Sequence, residues 1–287
     1  MKNKTKCKLP HPSYVLSCIE EWRTLDLRKR SDSEIDTALS SFLDSLVEFS
    51  VLNVKKNPST LWRLRKFHHL IRDVSECWEP PSANTKLGRC NAEGSPVLYV
   101  SENLRTPFEE LFIQTNEQVY VIKYKQIEHL NLKIIVPEEL NLTDQEGNPI
   151  YDKDSILSYQ ILREFVRSEF LKPVGLGTEY LHRISGSMCR VWFDGKDSDG
   201  WLYPSVQSSN DFNIAIKTES AHKKLKIEDV RIVRMVDREN IIKSGIIKDS
   251  ALPWFNMTKM VVESIFRGSI NDGQITWEPS NDLGGDF

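Results

Sequence analysis

Apolar residues recur at helical spacing along three stretches of the chain. The first covers residues 34–52, whose apolar face carries Ile35, Leu39, Phe42, Leu46 and Phe49. Ser31 and Glu34 stand three positions apart, which is the spacing of a capping box at a helix start. The other stretches predict helices over residues 155–171 and 179–193, although Gly186 lowers the helix propensity of the latter. The stripe of the first helix either packs against its own domain or meets a partner.

Strand patterns occupy other parts of the chain. Residues 61–65 alternate apolar and basic side chains, and residues 118–124 and 130–136 are rich in β-branched and other apolar residues. Later strands are predicted at residues 201–206, 212–217 and 230–235. The polar stretch 137–154 contains Gly147 and Pro149, so we expect a loop or hairpin there.

The order of these elements is not a regular alternation of strand and helix. It predicts an α+β fold with several antiparallel strand pairs. We expect a helical N-terminal extension over residues 1–60, a main domain over residues 61–240 and a C-terminal segment over residues 241–287. Residues 271–287 are polar and acidic, and they contain glycines, so this end is expected to be a loosely held tail.

Composition narrows the choice of partners. A net charge of −3 over 287 residues provides no basic field for nucleic acid, and no apolar stretch is long enough to span a membrane. The five cysteines are scattered without a CxxC pair, which disfavours a zinc site and a disulfide framework. These features predict a cytoplasmic protein that binds neither nucleic acid nor a membrane.

Residues 88–110 (GRCNAEGSPVLYVSENLRTPFEE) carry the most informative chemistry. They place Arg89 on a turn, Tyr99 on a strand and Glu110 at a helix start. Arg89 offers a planar donor fork for phosphate or carboxylate, and Tyr99 offers a flat face with a hydroxyl. Glu110 supplies a negative charge that steadies a developing cation. This combination suits an anionic substrate that contains a ring.

Two glutamates are adjacent in this segment, and we expect them to differ in role. Thr106 is predicted as the N-cap, Pro107 as the first helical residue and Glu109 as the partner that completes a capping box. Glu110 lies about 100° further round the helix. It is therefore available for chemistry, although an ordinary solvated glutamate remains the alternative.

Several blocks of residues, in order over about residues 61–235, resemble the RES domain, which is named for its Arg, Glu and Ser. The blocks are LWR at 61–63, GRCN at 88–91 with Gly94, LYVS at 98–101, Thr106 with Glu110, and DGWLYPS at 199–205 with Asn213. The resemblance implies a fold akin to ADP-ribosyltransferases, with a mixed, largely antiparallel sheet core and flanking helices. It also implies consumption of NAD by hydrolysis or phosphorolysis in bacterial toxin–antitoxin modules. Some members of the family are linked instead to protein ADP-ribosylation.

The resemblance also implies roles for individual residues. Arg89, Tyr99 and Glu110 match the active-site arginine, tyrosine and glutamate of the family, Arg63 matches the arginine of its first strand, and Ser205 matches its serine. Arg63 and Arg89 are expected to bind the pyrophosphate, and Glu110 to stabilise an oxocarbenium-like transition state. Tyr99 is expected to contact the nicotinamide riboside and Ser205 to orient the substrate or a neighbour. NAD is then a substrate, and neither a cofactor nor a metal is predicted.

Each assignment has a structural alternative. Arg63 could form a structural ion pair, Arg89 could cap carbonyl groups, and Tyr99 could belong to the core. Ser205 could be structural, and Asn213 is expected to brace the backbone.

The leading functional hypothesis is an NAD glycohydrolase or NAD phosphorylase, as in the toxin of a toxin–antitoxin or defence module. The alternatives are an ADP-ribosyltransferase that modifies a macromolecule and a non-catalytic binding protein that retains the fold. Besides NAD, the partners considered are an antitoxin or regulatory protein and a second copy of the chain. The family pattern lacks the N-terminal extension, the 137–154 loop and the tail, which could serve oligomerisation, regulation or another acceptor.

Overall fold

The computed structural model describes residues 9–40, 53–56, 60–135, 151–207, 211–243, 246–247, 250–251 and 255–280. Its helices are α1 (Pro12–Thr24), α2 (Asp32–Ser40), α3 (Arg105–Glu110), α4 (Lys153–Leu171), α5 (Arg183–Val191) and α6 (Thr218–Lys224). Its strands are β1 (Asn53–Lys56), β2 (Thr60–Lys66), β3 (Val97–Ser101), β4 (Gln118–Gln126), β5 (Leu130–Ile134), β6 (Gly200–Pro204), β7 (Phe212–Lys217), β8 (Leu225–Lys243), β9 (Ile246–Ile247), β10 (Ser250–Ala251), β11 (Phe255–Asn271) and β12 (Gln274–Pro279). The α+β class is confirmed.

The chain divides into two compact units. The first unit is drawn from Met1–Asn57, Glu79–Tyr99 and Glu128–Lys224, and the second from Pro58–Trp78, Val100–Ile127 and Leu225–Phe287. Both units are built from pieces that are distant in the sequence, and the division predicted at residues 60 and 240 stays a prediction. The N-terminal helices α1 and α2 belong to the first unit together with most of the later helices.

Helix α2 begins with the capping box predicted from the sequence. The Ser31 amide donates to Glu34 Oε2 at 2.7 Å, and the Glu34 amide donates to Ser31 Oγ at 3.2 Å. Ile35 and Leu39 are fully buried, so the described part of the apolar stripe packs within its own unit. The predicted helix extended to residue 52, but residues 41–52 lie outside the described part of the chain.

Helix α1 is held in the first unit by an aromatic cluster. The Trp22 ring stacks on Phe165 of α4 with centroids 5.5 Å apart and meets Trp192 edge-on at 5.4 Å. Its indole Nε1 donates to the Ala38 carbonyl at 3.1 Å, and the side chain is only 2 % exposed. The end of α1 and the end of α2 are therefore fixed to each other and to α4.

Ion pairs attach α2 to α5 in the same unit. The Asp36 carboxylate accepts from Arg190 Nη2 at 2.7 Å and Nε at 3.0 Å, and it also accepts from Ser187 Oγ at 2.5 Å. Asp32 binds Arg183 in a similar way, with an N–O distance of 2.5 Å. Two charged groups on one face of a short helix therefore define where α2 lies on α5.

The strands of the first unit pair in the order β1–β5–β6–β7. The β5–β6 pair is parallel, whereas β1–β5 and β6–β7 are antiparallel. A Cβ at Gly200 would lie 2.1 Å from the Ala215 carbonyl oxygen, so only glycine permits this approach of β6 to β7. Asp152 caps α4 by accepting from the Ser155 amide at 2.7 Å. Most of the loop predicted at residues 137–154 lies outside the described part of the chain.

Among its described residues, the second unit contains an antiparallel sheet and the short helix α3. Strands β2 and β4 pair along their lengths, β8 pairs with β4 and β11, and β11 pairs with β12. Its core contains Leu64, Phe108, Ile113, Val119, Val121, Val233 and Met235. Largely antiparallel pairing was predicted and is confirmed.

Two features of the C-terminal region differ from the sequence prediction. The strand predicted at residues 230–235 is the centre of the much longer β8, and its partner β11 was not predicted. Residues 274–279 form β12 within the stretch expected to be a loose tail, and the Trp277 indole donates to the Ile71 carbonyl at 2.6 Å. Residues 281–287 lie outside the described residues. No helix among the described residues is both long enough and apolar enough to cross a bilayer.

Candidate active site

The turn at residues 88–91 holds the hydroxyl group of Tyr99. The Cys90 amide donates to the Tyr99 hydroxyl at 3.0 Å, and that hydroxyl donates to Asn91 Oδ1 at 2.8 Å. The side-chain Nδ2 of Asn91 donates to the carbonyls of Lys86 and Ala92 at 2.9 and 2.8 Å. Asn91 is thus buried with both ends of its side chain used, and it fixes Tyr99 relative to the turn.

Gly88 is required by the same arrangement. A Cβ at this position would lie 2.4 Å from Asn91 Oδ1 and 2.7 Å from the Tyr99 hydroxyl oxygen. Both distances are below van der Waals contact, so any side chain at Gly88 would displace the hydrogen-bonded pair. The first glycine of the GRCN block therefore serves the packing of Tyr99.

Tyr99 keeps its proton at neutral pH. Burial of the hydroxyl raises its pKa well above the ordinary value of 10.0, and the neighbouring Cys90 adds to the effect. The ring lies partly exposed against the core of the first unit and meets Tyr203 edge-on at 6.4 Å. Tyr99 can therefore present an aromatic surface, whereas its neutral hydroxyl is bound to Cys90 and Asn91 and is not a base.

The Arg89 guanidinium binds carbonyl groups at the C-terminal end of α4. Nη1 donates to the Phe170 carbonyl at 2.7 Å and Nη2 donates to the Lys172 carbonyl at 3.0 Å. The last carbonyls of a helix lack partners within the helix and carry partial negative charge, so a cation is favourable there. The carbonyl-capping alternative for Arg89 is thus seen in the structure, and it fixes the side chain near Lys172.

His182 lies in the same electrostatic environment. Burial and the positive charges of Arg89 and Lys172 lower the pKa of His182 to about 4, against a partial opposing effect of Glu179. Its Nδ1 is buried and has no hydrogen-bond partner among the described residues. His182 is therefore neutral at physiological pH, and the positive charge beside it comes from Arg89.

Ser205 follows the end of β6 and is buried. Its amide donates to the Asp211 carbonyl at 2.9 Å, and its hydroxyl accepts from the Gln207 amide at 3.2 Å. The predicted strand included Ser205, but β6 ends one residue earlier, at Pro204. Asn213 lies opposite Tyr203 in the β6–β7 ladder, and its bracing role stays a prediction.

Asp199 organises the start of the same block. Its carboxylate accepts from the Asn131 amide at 2.7 Å, from Lys224 Nζ at 2.6 Å and from Ser220 Oγ at 2.7 Å. Burial alone would raise its pKa, but these hydrogen bonds outweigh burial and lower it. Asp199 therefore anchors β6 to β5 and α6 as a carboxylate.

Arg63 belongs to the second unit and is also anchored by a carbonyl group. Its Nη1 donates to the Trp78 carbonyl at 2.6 Å. Arg65, two residues further along β2, donates to the Glu76 carbonyl. Burial and the charge of Arg63 lower the pKa of Arg65. No salt bridge of Arg63 occurs among the described residues, so the structural ion pair considered for it is not observed there.

Helix α3 carries the two glutamates of the second unit, and it differs from the prediction. The helix starts at Arg105 rather than Pro107, Leu104 occupies the N-cap without a side-chain hydrogen bond, and Thr106 is buried inside the helix. Glu109 pairs with Arg105 Nε at 2.6 Å, one helical turn away, so the predicted capping box with Thr106 is wrong. Glu109 is nevertheless committed to the fold, as expected.

Glu110 is the last residue of α3 and not part of its first turn. It is partly exposed, in contrast to the buried Glu109. Because α3 starts at Arg105 and has only 6 residues, Glu110 falls at its end. The two glutamates are thus separated by environment, one in the core and one at the surface of the helix end.

The structure brings some of the predicted residues together within a unit. In the first unit, Tyr99 contacts the turn that follows Arg89 and faces Tyr203, which lies two residues before Ser205. Arg63 and Glu110 belong to the second unit. The sequence did not predict the roles of Asn91 and His182. Asn91 stood in a quoted motif but without a partner, and a single histidine carries no pattern.

Comparisons with known proteins were made for the whole chain. No curated protein matches it. A chain of the crystal structure of the M. tuberculosis MbcT–MbcA toxin–antitoxin complex is similar over 63 % of this chain and 86 % of that chain, with 12 % identity and a TM-score of 0.36. The model of the RES domain family matches residues 60–236, which is more than half of the sequence. The chain therefore belongs to the RES domain family.

Proposed function

We propose that this protein cleaves the nicotinamide–ribose bond of NAD and transfers the ADP-ribose part to water or phosphate. The observation that carries the proposal is the family match over residues 60–236, which contains Arg63, Arg89, Tyr99, Glu110 and Ser205 in the order of the family pattern. The local geometry of these residues supports a role for each of them.

Glu110 is assigned to the reacting ribose. Breaking the glycosidic bond develops positive charge on the sugar, and a nearby carboxylate stabilises that charge. Glu109 cannot take this role, because it is buried and bound to Arg105. The partly exposed Glu110 is the carboxylate of this helix that a substrate can reach.

Arg63 and Arg89 are assigned to the diphosphate of NAD. A guanidinium carries five N–H donors. The bonds of Arg89 to the Phe170 and Lys172 carbonyls use one donor on each terminal nitrogen, which leaves donors for an anion. Arg63 has the same type of anchor at the Trp78 carbonyl. Anchored arginines lose little side-chain entropy on binding, so they suit the orientation of a dinucleotide.

Tyr99 and Ser205 are assigned positioning roles. The raised pKa of Tyr99 excludes it as a base at neutral pH, and its partly exposed ring is assigned to the nicotinamide riboside. Ser205 is buried and accepts a backbone hydrogen bond, which suits the support of the loop better than nucleophilic attack. Neither residue supplies the proton transfer of the reaction.

The proposal extends to setting and partners. We place the reaction in the cytoplasm, where NAD is available, and we propose an antitoxin or regulatory protein as the partner that restrains it. The toxin–antitoxin complex is described for the mycobacterial protein and not for this chain. The family match is what supports a toxin-like role for this chain.

Product analysis tests the proposed reaction. Purified protein is incubated with NAD, with and without inorganic phosphate, and the products are identified by mass spectrometry. We expect free nicotinamide together with ADP-ribose, or with its 1″-phosphate when phosphate is present. ADP-ribose attached to a macromolecule would identify a transferase instead. NAD that remains intact in every arm would contradict catalysis and favour a binding protein.

A further inference from the structure

The C-terminal end of α3 is a Schellman motif. The Phe112 amide donates to the Glu109 carbonyl at 3.1 Å, and the Ile113 amide donates to the Phe108 carbonyl at 3.3 Å. These two bonds define the motif, and the contact of its outer residues is apolar, since Phe108 and Ile113 are both buried. The position between Leu111 and Ile113, occupied by Phe112, has a φ of 50°.

A phenylalanine is unexpected at this position. Helices that end in this way place glycine at the left-handed residue, because a side chain there is strained. Phe112 accepts that strain, and its side chain is 58 % exposed, so it contributes little to the core. Neither backbone conformation nor burial accounts for an aromatic residue, since glycine would satisfy the backbone better.

The backbone of Phe112 is fixed by hydrogen bonds, and the residue is close in sequence to a candidate catalytic group. Phe112 lies two residues after Glu110, between a helix end and the buried Ile113. Its carbonyl accepts from the Gln114 side chain at 2.7 Å, which further fixes the turn. Strained residues that persist at defined positions are concentrated in ligand-binding and active sites.

We infer that the Phe112 ring is a specificity-determining contact for the nicotinamide ring of NAD. This inference rests on the proposed function. The nicotinamide ring of NAD is positively charged before the glycosidic bond breaks and neutral afterwards. The face of an aromatic side chain attracts a cationic ring and binds the neutral product less strongly. Phe112 therefore favours substrate over released nicotinamide.

Substitutions at Phe112 separate the strain from the ring. Phe112→Gly removes both, Phe112→Ala removes the ring and keeps a strained side chain, and Phe112→Tyr keeps both. Ile127→Ala is the control, because Ile127 belongs to the same unit and is 56 % exposed. Melting temperature and the KM and kcat for NAD are measured for each variant, with inhibition by nicotinamide mononucleotide and by ADP-ribose.

We expect the melting temperature of Phe112→Gly to exceed that of Phe112→Ala by about 2–4 °C. Both variants should raise KM for NAD by about tenfold and weaken inhibition by nicotinamide mononucleotide to a similar extent. Inhibition by ADP-ribose should stay unchanged, because it lacks the nicotinamide ring. Phe112→Tyr and Ile127→Ala should resemble the wild type in all of these measurements.

An unchanged KM in both Phe112→Gly and Phe112→Ala would overturn the inference. So would an equal loss of inhibition by ADP-ribose, which would assign the ring to another part of the dinucleotide. If the wild type leaves NAD intact, the proposed function fails, and a carbocyclic NAD analogue then decides the inference by direct binding. Weaker binding to Phe112→Ala than to the wild type supports it. Equal binding to both proteins, or no binding to the wild type, contradicts it.

Discussion

The Tyr99 hydroxyl donates to Asn91 Oδ1 at 2.8 Å, and this bond fixes a ring of the candidate site to the turn that carries Arg89. Gly88 makes the bond possible, because a Cβ there would overlap both partners. The turn, the strand and the arginine are therefore one structural feature. Changes to any of them should alter stability as well as the site.

Replacement of Gly88 by alanine should destabilise the first unit. The added Cβ would lie 2.4 Å from Asn91 Oδ1, so the side chain or the turn must move, at a cost of about 1–3 kcal/mol in the free energy of unfolding. Urea denaturation measures this change. Gly175→Ala is the matched control, since nothing lies within 4 Å of a Cβ there. Equal stability of the two variants would show that the turn adapts freely.

Removal of the Tyr99 hydroxyl should have a separate cost. Tyr99→Phe leaves the Cys90 amide and the Asn91 Oδ1 without this partner. Buried polar groups that lose their partner cost about 1–3 kcal/mol. The double variant with Gly88→Ala should lose less free energy of unfolding than the sum of the two single losses, because the hydroxyl that the new Cβ would meet is gone. A double-mutant cycle by urea denaturation checks this, and strict additivity would argue against the contact.

The two capping boxes show what a local pattern can and cannot predict. Ser31 and Glu34 form the box that their spacing predicts, although Arg30 Nη1 also donates to Glu34 Oε1 at 2.8 Å. Thr106 and Glu109 have the same spacing, but Arg105 pairs with Glu109 and Thr106 is buried. Helix α3 starts at Arg105, so Thr106 lies inside it and not at the N-cap, and spacing alone does not reveal where a helix begins.

Long-range pairing explains the other differences. Buried, β-branched strands such as β4 were predictable from their own residues. Strands β11 and β12 were not, because their residues are mixed in polarity and become strands by pairing with β8 and with each other. Site residues were located by the family resemblance. Their anchors, the Phe170, Lys172 and Trp78 carbonyls, are backbone groups that no sequence motif encodes.

The attachment of α2 depends on Asp36. Asp36→Ala should lower the free energy of unfolding by about 1–3 kcal/mol, because it leaves Arg190 and the buried Ser187 hydroxyl without their carboxylate. Thermal or chemical denaturation measures the loss. Lys29→Ala, which removes an exposed ion pair to Asp26, is the control and should have no measurable effect. A stable Asp36→Ala protein would show that the apolar contacts of α2 suffice.

We expect protonation of His182 to make the protein less stable as the pH falls. Its folded pKa of about 4 lies below the ordinary value of 6.5, so the unfolded chain binds more protons between these values and stability decreases as pH falls from 6.5 towards 4. The loss between pH 7 and pH 5 is about 1–2 kcal/mol after allowance for partial exposure. His182→Gln should flatten this part of the profile in melting experiments. An identical profile for the variant would exclude His182 as its source.

The central claim is that Glu110 acts on the glycosidic bond of NAD, whereas Glu109 serves the fold. The direct measurement is nicotinamide release from NAD by the wild type, Glu110→Gln and Glu109→Gln under identical conditions. We predict that Glu110→Gln melts like the wild type and releases nicotinamide about 10²-fold more slowly or worse. Glu109→Gln should melt at a lower temperature and keep its turnover while folded. Wild-type turnover by a folded Glu110→Gln protein would contradict the claim.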